Sequence, residues 1–123
     1  MPTHEHVQTA QDYLTSDDRK LASGHVLPGS EKLWGSASYA VMAVTQRCGW
    51  PLVSRRALPL NVLRLAEETN DAAFDSEFPT AERFHENFFH QFNVFHQFME
   101  NHELRDDPPI VYRFVNRMLG RLA

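Results

Sequence analysis

The chain has 123 residues, of which 42% are hydrophobic and nine are phenylalanine; this supports one modest core, is too little for a second, and excludes a disordered chain. Its net charge is −4, with eleven acids against three bases in residues 59–107 but only Arg113, Arg117 and Arg121 charged in residues 108–123, so broad nucleic-acid binding is disfavoured and a single basic stripe is left. No apolar run reaches membrane-spanning length, the opening residues lack a secretory pattern, and the lone Cys48 has no disulfide partner, so a cytoplasmic protein with no membrane contact is expected.

One domain is expected over residues 1–123, with residues 1–6 a frayed N-terminus. A first helix is predicted from about Thr9 to Ser23, because Val7, Ala10, Leu14 and Leu21 keep one side apolar while Asp12, Asp18 and Arg19 fall elsewhere. Gly24 is a natural stop, and His25 to Gly29 reads as a connection leading to Ser30, a candidate cap for the helix around which the chain is organised. On that central helix Trp34, Ala37, Val41, Val44 and Cys48 form a stripe, and Leu33, Ala40 and Ala43 widen it beyond what a lone amphipathic helix needs. Gly35, Ser36, Ala37, Ser38 and Ala40 leave little bulk near the backbone, so a second helix can approach closely. The helix ends near Cys48-Gly49, and Trp50-Pro51 breaks the chain while fixing an aromatic ring against the bundle end.

Ser54-Arg55-Arg56 is assigned to a loop, followed by a short helix from Pro59 to Thr69. The polar run from Asn70 to Glu77 is predicted as a loop anchored by Phe74 and Phe78. Pro79-Thr80 is then expected to open the longest helix, reaching about His102, on which Phe84, Phe88, Phe92, Phe95 and Met99 form a band widened by Phe89 and Phe98. That band holds more aromatic bulk than one small core needs, which points to a homodimer. Asp106 to Pro109 closes the segment, and Ile110 to Leu122 makes a last helix with Val111, Phe114, Val115, Met118, Leu119 and Leu122 inward and the three arginines outward. With no β alternation of useful length, the expected fold is all-α, an up-and-down bundle of about five helices.

Seven histidines invite a metal, but their spacing resists it. His85 and His90 are five residues apart, about 140° around a helix, whereas a zinc-binding pair needs a separation of four; His90, His96 and His102 step by six and diverge. No metal or other cofactor is expected, and no Gly-rich phosphate loop, Ser-His-Asp order or Cys-x-x-Cys motif is present.

Gly24, the run Ser30-Glu31-Lys32-Leu33-Trp34-Gly35-Ser36-Ala37, and Ser54-Arg55-Arg56-Ala57-Leu58 ahead of a short helix together resemble the PaREP1-like branch of the HEPN helical-domain superfamily, over roughly residues 7 to 70. The chain departs from that pattern at His25, where an acid is usual, and at Pro28-Gly29, where the helix would already be running. The resemblance implies a compact and often dimeric helical bundle with little settled biochemistry, at times acting beside a nucleotidyltransferase, which here would act in trans; the role expected of this chain is a nucleotide-, RNA- or protein-binding and assembly module. The same resemblance places Arg55 and Arg56 near Glu31 and Lys32, a polar group that could face a ligand, although Glu31 also suits a helix N-terminus.

Many HEPN proteins also carry an Arg, four to six residues and then a His, which serve a metal-independent ribonuclease at a dimer interface. Arg83 and His90 are the nearest match, and seven positions make about two turns, so both share a helix face with Asn87. An imidazole there could move the ribose 2′-hydroxyl proton while a guanidinium stabilises charge on phosphorus. Phe84 follows the arginine where active members carry a polar residue. The non-catalytic module is therefore the first expectation and the ribonuclease the second.

Overall fold

The computed structural model describes residues 3–22, 26–50, 57–94, 99 and 101–122, without the side chains of residues 17, 18, 20–22, 26–28, 89–94 and 101. Six helices follow one another: α1 (Thr3–Ala22), α2 (Val26–Arg47), α3 (Leu58–Thr69), α4 (Ala72–Val94), the short α5 (Asn101–Asp106) and α6 (Pro108–Gly120). Among the described residues there is no strand, so the fold is an all-α bundle of five principal helices.

Contacts fix their directions. Thr3, at the start of α1, donates its hydroxyl to Gln46 Oε1 near the end of α2 at 3.1 Å, and Ser36 Oγ, earlier in α2, donates to the carbonyl of Ala10, later in α1, at 2.7 Å, so the two helices run antiparallel. Trp34 packs on Phe78 at 5.7 Å and Asn87 reaches Ser30, so α4 runs antiparallel to α2 as well. Phe114 of α6 lies against both Phe74 and Phe78, and Arg117 returns to Asp71, which makes α6 antiparallel to α4.

The core lies where α2, α4 and α6 meet. Leu33, Ala37, Ala40, Val41, Phe84, Val111, Phe114, Val115 and Met118 are wholly buried there, and Trp34 is buried as its stripe predicts. The close approach expected from small residues occurs at one point in particular. A Cβ on Gly35 would stand 2.6 Å from Tyr13 Cδ2, so the tyrosine ring of α1 lies where any other residue would put a side chain.

Several boundaries differ from the sequence expectations, each for a physical reason. Thr3 to His6 are helical rather than frayed, because Thr3 is tied to Gln46 and His6 lies on Tyr39. The predicted connection before Ser30 is overturned from Val26 onward: α2 starts there, and Pro28 is accepted because first-turn N–H groups have no acceptor inside the helix. Ser30 is thus not a cap but a buried member of the second turn. Gly24 and His25 lie outside the described residues.

The predicted loop from Asn70 to Glu77 is also helical from Ala72. Asn70 closes α3 in the left-handed conformation, at φ 53°, and the Asp71 carboxylate accepts the Ala73 N–H at 3.2 Å, capping α4 seven residues ahead of Pro79. Interior proline costs about 3 kcal/mol, and full burial of Phe74 and Phe78 on the same helix offsets it. At its other end α4 does not run to His102. The Met99 N–H donates to Asn87 Oδ1 at 3.0 Å, a reach impossible along a straight helix, where twelve residues span about 18 Å. Phe84 and Met99 are buried within their own chain, which removes them from the motive for a dimer; the side chains of Phe89, Phe92, Phe95 and Phe98 lie outside the described residues.

Candidate functional site

The polar face of α4 is occupied by architecture. Asn87, expected at the surface between Arg83 and His90, has no exposed surface: its Nδ2 donates to Ser30 Oγ at 3.3 Å and its Oδ1 takes the Met99 N–H. A buried amide so placed joins α2, α4 and the chain returning after α4, and substituting an apolar residue would leave buried groups unsatisfied. Arg83 is partly exposed, but its Nη2 is ion-paired and hydrogen-bonded to Glu103 of α5. The His90 side chain lies outside the described residues. Of the proposed catalytic pair, then, one member holds a carboxylate, and Asn87, the binding candidate on the same face, is inaccessible.

The other polar group separates. Lys32 does not pair with Glu31 toward a ligand; its ammonium sits 4.0 Å over the ring of Tyr13, attached to α1. Glu31 is exposed in the second turn of α2, past the helix end where a carboxylate gains most from the macrodipole. Arg55 and Arg56 lie outside the described residues. His85 is exposed and stacks on Trp34 at 5.0 Å. Near it, burial first and then the charge of Glu86 push the Glu82 carboxyl above its usual range. Among the described residues no three His, Cys, Asp or Glu side chains come together as a metal site requires. Nor is any helix there long and apolar enough to cross a membrane.

The arginine stripe of α6 divides as well. Arg117 Nη2 is 2.6 Å from both Asp71 carboxylate oxygens, Nη1 bonds Glu77, and the guanidinium lies 4.8 Å from the Phe74 ring centre. The Asp71 hydrogen bond is the main reason that its pKa is raised further. Arg113 leans toward Glu77 at 3.9 Å, and Arg121 is exposed at the end of α6. Two of the three arginines therefore face carboxylates of their own chain.

What the sequence reading missed is the outer face of α3. Leu60 is 69% exposed and Leu63 40%, the two large apolar side chains that stand out from the described surface. Leu58, Val62, Leu65 and Ala66 are buried and fall within about 100° of one another, with Leu60 almost opposite them. Plotting the six residues on a helical wheel separates the two groups; reading them as one apolar run merges them. Beside the exposed leucines lies a hollow of about 270 Å³ lined by Leu63, Ala66, Glu67 and Asn70 from the α3 side and Ala72 and Asp75 from α4. Elsewhere on α3, Arg64 stacks 3.7 Å over Trp50 and pairs with Glu68 at 3.1 Å.

No family model, curated protein or solved structure matches the chain.

Proposed function

We propose that this chain is a non-catalytic protein-binding and assembly module on a HEPN-like bundle, working in the cytoplasm with α3 as its contact helix. The observation that carries this reading is the exposure of Leu60, opposite the core face of α3, and of Leu63 at its flank. Burying a leucine contributes about 1.5 to 3 kcal/mol, so two of them beside a hollow offer a partner a substantial part of a binding free energy. The α4 face supports the non-catalytic half of the reading. Any phosphate approaching Arg83 competes with Glu103, and Asn87 is closed off inside the bundle.

The test is direct. Purified protein incubated with single-stranded RNA in excess chelator is expected to leave the RNA intact, since neither role assigned to the Arg83–His90 pair needs a metal. Cleavage that disappears in both Arg83→Ala and His90→Ala, with the helical circular-dichroism spectrum preserved, would overturn the reading in favour of a ribonuclease.

A further inference from the structure

Resting on the protein-binding reading above, we infer that the hollow between α3 and the first turns of α4 docks a basic amphipathic helix from a partner protein. Shape and charge lead to the same occupant. Leu60, Leu63, Glu67 and Asn70 follow one another at three- and four-residue steps along α3, a strip about 15 Å long, which matches three turns of a helix laid beside it. Leu63, Ala66 and Ala72 make the apolar part of the hollow, and an apolar stripe at i, i+3 or i+4 and i+7 is what such a strip accepts.

The charges around this strip are already sorted by the fold. Residues 57–77 contain Glu67, Glu68, Asp71, Asp75 and Glu77 against Arg64 as the only base. Glu68 takes Arg64, and Asp71 and Glu77 take Arg117, with Arg113 also near Glu77. Glu67 and Asp75 are left, both exposed and with no ion pair among the described residues. Both line the hollow, one on each helix. A docked helix carrying lysine or arginine beside its apolar stripe would meet an opposite charge from each helix that walls the hollow, while nucleic acid or an anionic membrane would meet two like charges.

The experiment uses the full chain and two fluorescein-labelled synthetic peptides of about fourteen residues, one of leucine and lysine in helical register and one of leucine and glutamate in the same register, read by fluorescence anisotropy. The leucine–lysine peptide is expected to bind and the leucine–glutamate peptide not to bind. Leu60→Ser combined with Leu63→Ser should weaken binding by about tenfold or more. Glu67→Lys combined with Asp75→Lys should weaken the lysine peptide comparably and allow the glutamate peptide to bind, whereas Glu86→Lys, well along α4 from the hollow, should change the affinity by less than about twofold. All these side chains are exposed, so the variants should keep the wild-type melting temperature.

Loss through the leucine pair alone, with charge reversal having no effect, overturns the basic helix but leaves a protein-binding α3. Indifference to both pairs overturns the two readings together. Equal binding of both peptides, binding of fluorescein-labelled polyuridine RNA that the leucine variant abolishes, or self-association of the chain that the leucine variant abolishes would each overturn the basic-helix assignment.

Discussion

Where α1 crosses α2 small residues let the helices close around Tyr13 and Tyr39, and where α4 and α6 meet the contact is made by phenylalanine rings and charge. In the first region Ala10 is fully buried, Ser36 spends its hydroxyl on the Ala10 carbonyl, and Tyr13 occupies the space above Gly35. In the second, Phe74, Phe78 and Phe114 fill the interior and Arg117 spans Asp71 and Glu77 at its rim. Close approach tolerates no added atom over Gly35, since the packed Tyr13 ring already fills that space. A corner closed by long side chains can adjust by rotamer changes, and its outer surface is left to face a partner. The two regions should therefore fail in different ways.

The largest effect is expected in the seam. Gly35→Val places branched carbon where Tyr13 Cδ2 already stands within 2.6 Å of a Cβ, and overpacking of this kind costs about 2 to 3 kcal/mol. Urea denaturation should show the drop, and adding Tyr13→Ala should recover part of it, because the second change removes the ring that is struck. A purely additive double variant would mean that the seam relaxes in some other way. In the corner, Arg117→Met is expected to cost less, about 1 to 2 kcal/mol, since the network is partly solvated and the methionine keeps some contact with Phe74. This loss should shrink as salt is raised, because two carboxylates left without their cation repel less when screened. A salt-independent loss would assign Arg117 a packing role instead.

The sequence made the inward stripes of α2 and α6 legible, but not where α1, α2 and α4 begin. Trp34, Ala37, Val41 and Val44 recur at helical spacing and are buried together, and Val111, Phe114, Val115 and Met118 likewise face inward on α6. The start of α4 was not legible, because proline and a polar run between Asn70 and Glu77 carry the local signature of a loop; what overrides it is the tertiary burial of Phe74 and Phe78. Local polarity also misjudged Asn87. An asparagine beside Arg83 on a helix face predicts solvent, and packing against Ser30 of α2 with the chain folding back to bring Met99 over it turns that position inward. The candidate site followed the same rule: Lys32, Arg83 and Arg117 each have a partner on another helix, and single-helix spacing contains no information about such partners.

The smallest expected effect returns to the seam and depends on pH. His6 of α1 lies 5.7 Å from the Tyr39 ring with its Nδ1 buried and without a hydrogen-bond partner among the described residues. Burial lowers its pKa below the ordinary 6.5. A histidine with a lowered folded pKa binds its proton more readily in the unfolded chain, so stability is fully present above pH 6.5 and is lost as pH falls from 6.5 toward the folded value. The ring is only partly buried, so solvent screening keeps the effect small. His6→Phe keeps an aromatic ring against Tyr39 and removes the titration. Unfolding free energies at pH 5 and pH 7.5 should therefore differ less in His6→Phe than in the wild type, with the other six histidines cancelling in the comparison. An unchanged difference would place the imidazole in free exchange with solvent, and a wild type relatively more stable at pH 5 would mean that the seam binds the protonated ring. Either result would show that packing in the seam is looser around His6 than Tyr13 above Gly35 implies.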